Sequence, residues 1–316
     1  MRICADYYDK FKCKCGDCRH VCCGGCGITV SDGEYFRLLG LDCPADLRSS
    51  LDVALAPLDD PSPERFAVMK PSYTGKCRLI NDAGLCSLQL ACGEDVLPAV
   101  CRMYPRSLTD DHAGCSASCE RVVELLMREK PLTFSAPLPE PMASYVNALQ
   151  RREKPLKERI AELLPDVLPR GLSDSHYGLL CAYTAAMAEA SEHFAGTVDE
   201  AVRGYGGKEE ALYREIEAFD RRFPEAENRY ENLIVNRMFL TDFPGDDIKT
   251  ALCGIVCEYA LLRFASAGCE TEEGFVDAAA SLYRFIGHTN FNKNSRVAIE
   301  RCGAYSADGL SALLRL

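Results

Sequence analysis

Nineteen cysteines in one chain, with fourteen of them before residue 120, constrain this sequence more than anything else in it. Disulfide-dense proteins are short and secreted, because bridges replace a core too small to hold the chain. A chain of 316 residues with 47% hydrophobic content can build a full core, so metal ligation explains the thiols better than bridging. Ordinary packing would not concentrate cysteine at one end.

The first cluster runs Cys13-x4-Cys18-x3-Cys22-Cys23-x2-Cys26, with Cys15 in addition. The second runs through Cys77, Cys86 and Cys101 and closes at Cys119. Basic residues flank both: Lys10, Lys12, Lys14 and Arg19, then Lys76, Arg78, Arg102 and Arg106. They would favour thiolate over thiol and offset ligand charge. Cys15-x2-Cys18 and Cys23-x2-Cys26 have the form of zinc knuckles. Their separation is far below the roughly 12 to 20 residues usual between such pairs. A dense run completed by cysteines further along fits an iron–sulfur cluster better, with zinc as the alternative. The Cys-x3-Cys-x2-Cys spacing of radical S-adenosylmethionine enzymes is absent, since Gly25 stands where its third cysteine would be. Cys253 and Cys257 share a helix face inside an apolar run and read as core.

Up to about Ser107 the chain shows little sustained helical period outside Asp32 to Leu41 and Ser87 to Val100, and Asp59 to Gly75 reads as a loop joining the clusters. Helical periodicity then dominates: Glu120 to Arg128, Pro141 to Leu164, Ser175 to His193, Lys208 to Arg222, Pro224 to Leu240, Asp246 to Ala267 and Glu272 to Ile286. The expected fold is mainly α, with an irregular cysteine-rich metal-binding part over residues 1–125 packed on a helical domain over 126–316. A net charge of -11 without a basic stripe argues against nucleic acid. No run approaches the ~20 apolar residues of a membrane span, and the start lacks a signal-peptide core, so the expectation is a cytoplasmic protein.

The order and text of the two clusters resemble the flagellin lysine N-methylase family. Phe11-x-Cys13, Cys18, Cys22-Cys23 and Ile28-Thr29-Val30 are similar to its opening motif, with Cys26 where that motif usually has Trp. Cys77, Gly84-Leu85-Cys86, Leu97, Cys101 and Tyr104-Pro105-Arg106 resemble its second, and Ser118-Cys119 the start of its third. Glu231-Asn232-Leu233, Asn236, Phe239 and Phe243-Pro244, then Arg284-x3-His288, resemble motifs of its helical part.

The resemblance implies methyl transfer from S-adenosylmethionine to lysine ε-amines of a protein substrate, flagellin or another surface-filament protein, by an enzyme holding an iron–sulfur (4Fe-4S) cluster. It implies a ligand pool of Cys13, Cys18, Cys22, Cys23, Cys77, Cys86, Cys101 and Cys119, of which one cluster takes four. Beside it, Tyr104 and His288 are candidates for handling the amine proton, and Arg106, Asn232 and Asn236 for holding the cofactor. No Gly-x-Gly-x-x-Gly loop marks the cofactor site. The competing reading is a non-catalytic zinc- or iron-binding or redox module.

Overall fold

The computed structural model describes residues 2–19, 22, 23, 28–73, 75–164, 199, 202, 203, 206, 209–241, 243–245, 247–301, 303, 305–314 and 316. Cys26 and the expected helix from Ser175 to His193 lie outside the described residues. In chain order the elements are β1 (Ile3–Cys4), β2 (Ile28–Val30), α1 (Asp32–Leu39), α2 (Ala45–Ala54), β3 (Leu55–Pro57), β4 (Ala67–Met69), α3 (Ser87–Cys92), α4 (Ala99–Met103), β5 (Arg106–Leu108) and β6 (His112–Cys115). Helices follow: α5 (Glu120–Leu126), α6 (Met142–Leu149), α7 (Leu156–Glu162), α8 (Glu209–Arg222), α9 (Ala226–Leu240), α10 (Ile248–Ser266), α11 (Glu272–Gly287), α12 (Phe291–Arg301) and α13 (Ala307–Leu313). The chain is mainly helical, and none of the helices among the described residues is long and apolar enough to cross a membrane.

Two compact units divide the chain: Met1–Phe11 with Pro105–Leu316, and Lys12–Tyr104. The larger therefore takes in residues 1–11 and 105–125, ahead of the change in composition near residue 125. The smaller is inserted between its first two stretches.

The smaller unit is more regular than its cysteine, glycine and proline content suggests. An antiparallel sheet in the order β2-β4-β3 pairs Ile28 with Met69, Val30 with Ala67 and Leu55 with Met69. Strand β4 thus lies inside the stretch expected to be a loop: three residues are too few to register as a period, and their partners are distant in sequence. Helix α1 begins with a reciprocal capping box, in which the Ser31 hydroxyl accepts from the Glu34 N–H and the Glu34 carboxylate accepts from the Ser31 N–H at 2.9 Å. The span expected as one helix, Ser87 to Val100, is two, because Gly93 (φ 88°) ends α3 and Pro98 starts α4. Leu38, Leu51 and Ala54 are fully buried beneath the sheet's apolar residues. Each such leucine contributes about 1.5–3 kcal/mol. The core is small, and Cys43, Cys77, Cys86, Cys92 and Cys101 pack around it half-buried.

In the larger unit a second sheet, in the order β1-β6-β5, pairs β1 parallel to β6 and β5 antiparallel to it. Helix α10 is buried at every residue from Ala251 to Ser266, the signature of a central helix sheathed on all sides. Its start is set by Asp247, whose carboxylate accepts from the Thr250 N–H at 3.1 Å. Helices α8, α9, α11, α12 and α13 pack on it. Charges inside this core come paired: Arg237 donates from Nε to Glu258 Oε2 at 2.6 Å, and Tyr283 donates to Glu258 Oε1 at 2.5 Å. Burial pushes the Glu258 carboxyl above its ordinary range against the pull of Arg237.

Candidate functional site

In the smaller unit the early and later cysteines come together. The Cys77 N–H donates to the Cys23 carbonyl at 2.7 Å, tying the two clusters through the main chain. Ile80 and Cys86 form an antiparallel bridge that brings Cys86 back toward Cys77 across the turn at Gly84. The sulfurs of Cys22 and Cys23 lie 3.9 Å apart. The Cys23 thiol is pushed far up, first by its contact with Cys22, then by burial, then by the charges of Cys22, Cys77 and Cys101. Burial raises Cys77 as well, with Cys86 and Cys22 adding to it. Cys101 is pushed up to about 12 by burial, then by Cys77, Cys86 and Cys22. Burial and the neighbouring thiols together thus suppress ionisation of Cys23, Cys77 and Cys101. All can be thiolates together only if a cation shares the site. Among the described residues no three or more His, Cys, Asp or Glu side chains are already set at metal-ligating positions.

The remaining cysteines of the expected pool are placed differently. Cys13 accepts from the Cys15 N–H at 3.3 Å, with Cys15 at a positive φ of 53°. Its thiol is raised by burial, and Cys15 and Cys22 add to the rise. Cys18 ends the short 3-10 turn Cys15–Asp17. Cys119 belongs to the larger unit, where it is the N-cap residue of α5 and a neighbour of buried Cys115.

The motif residues of α9 are tied into the larger unit. Glu231, fully buried, accepts from Arg152 at 2.7 to 3.0 Å and from Arg159 at 2.5 Å. Asn232 accepts from the Leu132 N–H at 2.9 Å and donates to the carbonyls of Leu126, Arg128 and Lys130. One amide thus closes the end of α5 and the turn beyond it. Asn236 donates to the Cys115 carbonyl at 3.1 Å and accepts from the Tyr7 hydroxyl at 2.5 Å, while that hydroxyl accepts from the Cys115 N–H at 2.9 Å. Burial holds the Tyr7 phenol well above its ordinary range, so it remains a neutral donor. The neighbouring Gly114 is the residue that fits there, since a Cβ would come within 2.7 Å of Leu240 and 3.5 Å of the Tyr7 oxygen. Both asparagine amides, expected to face a cofactor, are engaged by the fold itself.

Arg106 is exposed on β5, with its guanidinium 5.0 Å from the Phe11 ring centroid. Tyr104 is the C-cap residue of α4 in the smaller unit. His288 is the exposed C-cap residue of α11 in the larger. Tyr7, Arg152 and Arg159 were not singled out from sequence. Arg152 and Arg159 stand in a charged stretch that reads as a solvated face, and nothing local marks Tyr7.

A helical unit organised around the Glu231, Asn232 and Asn236 network matches a known methylase class: residues 138–313 match the FliB lysine N-methylase C-terminal domain. That span is more than half of the chain, which therefore belongs to the flagellin lysine N-methylase family. No curated protein and no solved structure matches it.

Proposed function

We propose that this protein transfers methyl groups from S-adenosylmethionine to lysine ε-amines of a protein substrate, flagellin or another surface-filament protein, and that its smaller unit holds an iron–sulfur cluster. Membership of a lysine N-methylase family is the observation that carries this reading. The donor set suits such a cluster: Cys22 or Cys23 with Cys77, Cys86 and Cys101 would supply the four thiolates, all from one unit. Bound there, the cluster would neutralise thiolates that otherwise repel, and it would offer iron as an electrophile or redox centre.

The transfer sets requirements on the chain's own residues. A lysine amine has an ordinary pKa near ~10.4, so the site must take its proton before the lone pair can attack the methyl carbon. The nitrogen–carbon bond forms as the carbon–sulfur bond breaks, and its electron pair leaves on sulfur as S-adenosylhomocysteine. Tyr104, in the smaller unit, or His288, in the larger, would take the amine proton, and Arg106 would hold a carboxylate. Asn232 and Asn236 are assigned to positioning, through the loop and strand they hold. In-line alignment of nitrogen, methyl and sulfur supplies up to about 7–11 kcal/mol of the barrier.

Anaerobic purification, metal analysis and an absorption spectrum, followed by incubation with S-adenosylmethionine and flagellin, test the reading. Brown protein with four cluster irons and lysine mass shifts in multiples of one methyl are the expected result. A colourless zinc protein that binds no S-adenosylmethionine would establish the non-catalytic alternative instead.

A further inference from the structure

Strand β5 is an outer strand of the sheet β1-β6-β5 and pairs with β6 on one side only. The register sets Arg106 opposite Cys115, Ser107 opposite Gly114 and Leu108 opposite Ala113. In an antiparallel ladder, pairs that exchange both hydrogen bonds alternate with pairs that exchange none. Two contacts fix which are which: the Ser116 N–H donates to the Pro105 carbonyl at 2.8 Å, and the Thr109 N–H to the His112 carbonyl at 2.9 Å. Ser107 with Gly114 is therefore the bonded pair between them, and the N–H and C=O groups of Arg106 and Leu108 point away from β6. Among the described residues, these outward main-chain groups have no partner.

The opposite edge of the sheet is closed. The Cys4 N–H of β1 donates to the Ser135 hydroxyl at 2.9 Å, the Cys4 carbonyl accepts from the Ser135 N–H at 2.9 Å, and Ala5 bridges to Phe134. An open edge is a template for a further strand, which is why folded chains commonly cover or charge it. On β5 the one charge is Arg106, and its guanidinium is drawn over the Phe11 ring.

The side chains say what kind of strand would fit. Leu108 shares a face of β5 with Arg106 and is 40% exposed, so it offers apolar surface to a side chain across the edge. In the turn that follows β5, Asp110 and Asp111 are exposed, and neither has an ion-pair partner among the described residues. Unpaired acids beside an open edge favour a segment that carries cations.

We infer that β5 is the docking edge for the protein substrate, which lays an extended, lysine-bearing segment alongside Arg106–Leu108 by main-chain pairing, its cations drawn toward Asp110 and Asp111. The inference rests on the methylase reading above and supplies the way in which that substrate is held. Three residues of edge make a weak contact, as a substrate that must leave requires.

Fluorescence anisotropy with the anaerobically purified holoenzyme tests it. The probe is a synthetic peptide of alternating valine and threonine around a central lysine, compared with the same peptide N-methylated at its central amides and with one carrying glutamate for lysine. Wild-type protein should bind the plain peptide, lose about tenfold or more in affinity on N-methylation, and prefer lysine to glutamate by a margin that shrinks as salt rises. Leu108→Pro deletes an N–H that makes no bond to β6, a change edge strands tolerate, and should weaken the plain peptide about tenfold. Asp110→Asn with Asp111→Asn should remove the preference for lysine while leaving the effect of N-methylation. Thermal unfolding shows whether each variant is folded, and the N-methylated peptide decides by itself where Leu108→Pro is not. Methylation of flagellin is followed alongside, and there Leu108→Pro should raise KM with kcat unchanged. No binding of the plain peptide, equal affinity for the N-methylated one, or wild-type affinity in folded Leu108→Pro would overturn the docking edge, and continued methyl transfer would then leave the methylase reading standing. A dimer that excludes the peptide and dissociates on Leu108→Pro would give the edge to a second copy of the chain and overturn the assignment likewise. Peptide binding as expected, in protein that transfers no methyl group, would defeat the methylase reading and with it the substrate's claim on this edge.

Discussion

The two units solve the same problem in different currencies. The larger buries α10 along nearly its whole length and places its internal charges in pairs, such as Arg237 with Glu258 and Arg159 with Glu231. The smaller covers a three-stranded sheet with two helices and lines the edge of its core with half-buried cysteines. Burial and paired charge suffice for the first. The second has little apolar area to offset the entropy of ordering its chain, and its thiols are where the missing stabilisation would enter.

Metal removal gives the largest expected difference. Stripping the proposed cluster under anaerobic conditions should erase amide-exchange protection across β2, β3 and β4 while α9 and α10 keep theirs. Equal protection in both units after stripping would mean that the smaller unit holds itself together. Next in size is Glu231→Leu, which strands Arg152 and Arg159; breaking a buried pair costs about 3–5 kcal/mol. Denaturant unfolding should show that loss in the larger unit only.

Asn232→Ala removes the amide that closes the end of α5 and is expected to cost about 1–3 kcal/mol, again confined to the larger unit. A loss spread evenly over both units would erase the proposed contrast. The smallest effect belongs to Glu34. Burial alone would raise its carboxyl, but the N–H groups of Ala99 and Ser31, the Ser31 hydroxyl and Arg37 hold it below the ordinary range. A depressed carboxylate contributes stability above its unfolded value of 4.5, and that stability is lost as pH falls through the lower folded value. Glu34→Gln should therefore cost about 1 kcal/mol at neutral pH and nothing once the wild-type carboxyl is protonated, as unfolding of the smaller unit across an acid series would record.

Long amphipathic helices were legible before any coordinates. Glu272 to Ile286 is seen as Glu272–Gly287, and Pro224 to Leu240 as Ala226–Leu240. Their signal is local, repeated over several turns and bounded by capping residues such as Thr271. Helix α2, with its weak apolar face, and the short C-terminal helices α12 and α13 passed unnoticed. The strands are two to four residues long and owe their existence to partners far along the chain, as Ile28 does to Met69. The roles of Asn232 and Asn236 were illegible for the same reason. Their i,i+4 spacing shows that they share a helix face, but their partners near Leu126 and Cys115 are more than a hundred residues away. The cysteines stood out by number alone, and what remained hidden was which of them become neighbours.

Strand β1 finds its place only against β6, so the framework cannot close until the ribosome has made everything up to Cys115. By then the inserted stretch from Lys12 to Tyr104 has already been made in full. The whole insert, with Cys22, Cys23, Cys77, Cys86 and Cys101, is therefore synthesised before the framework that carries it can close.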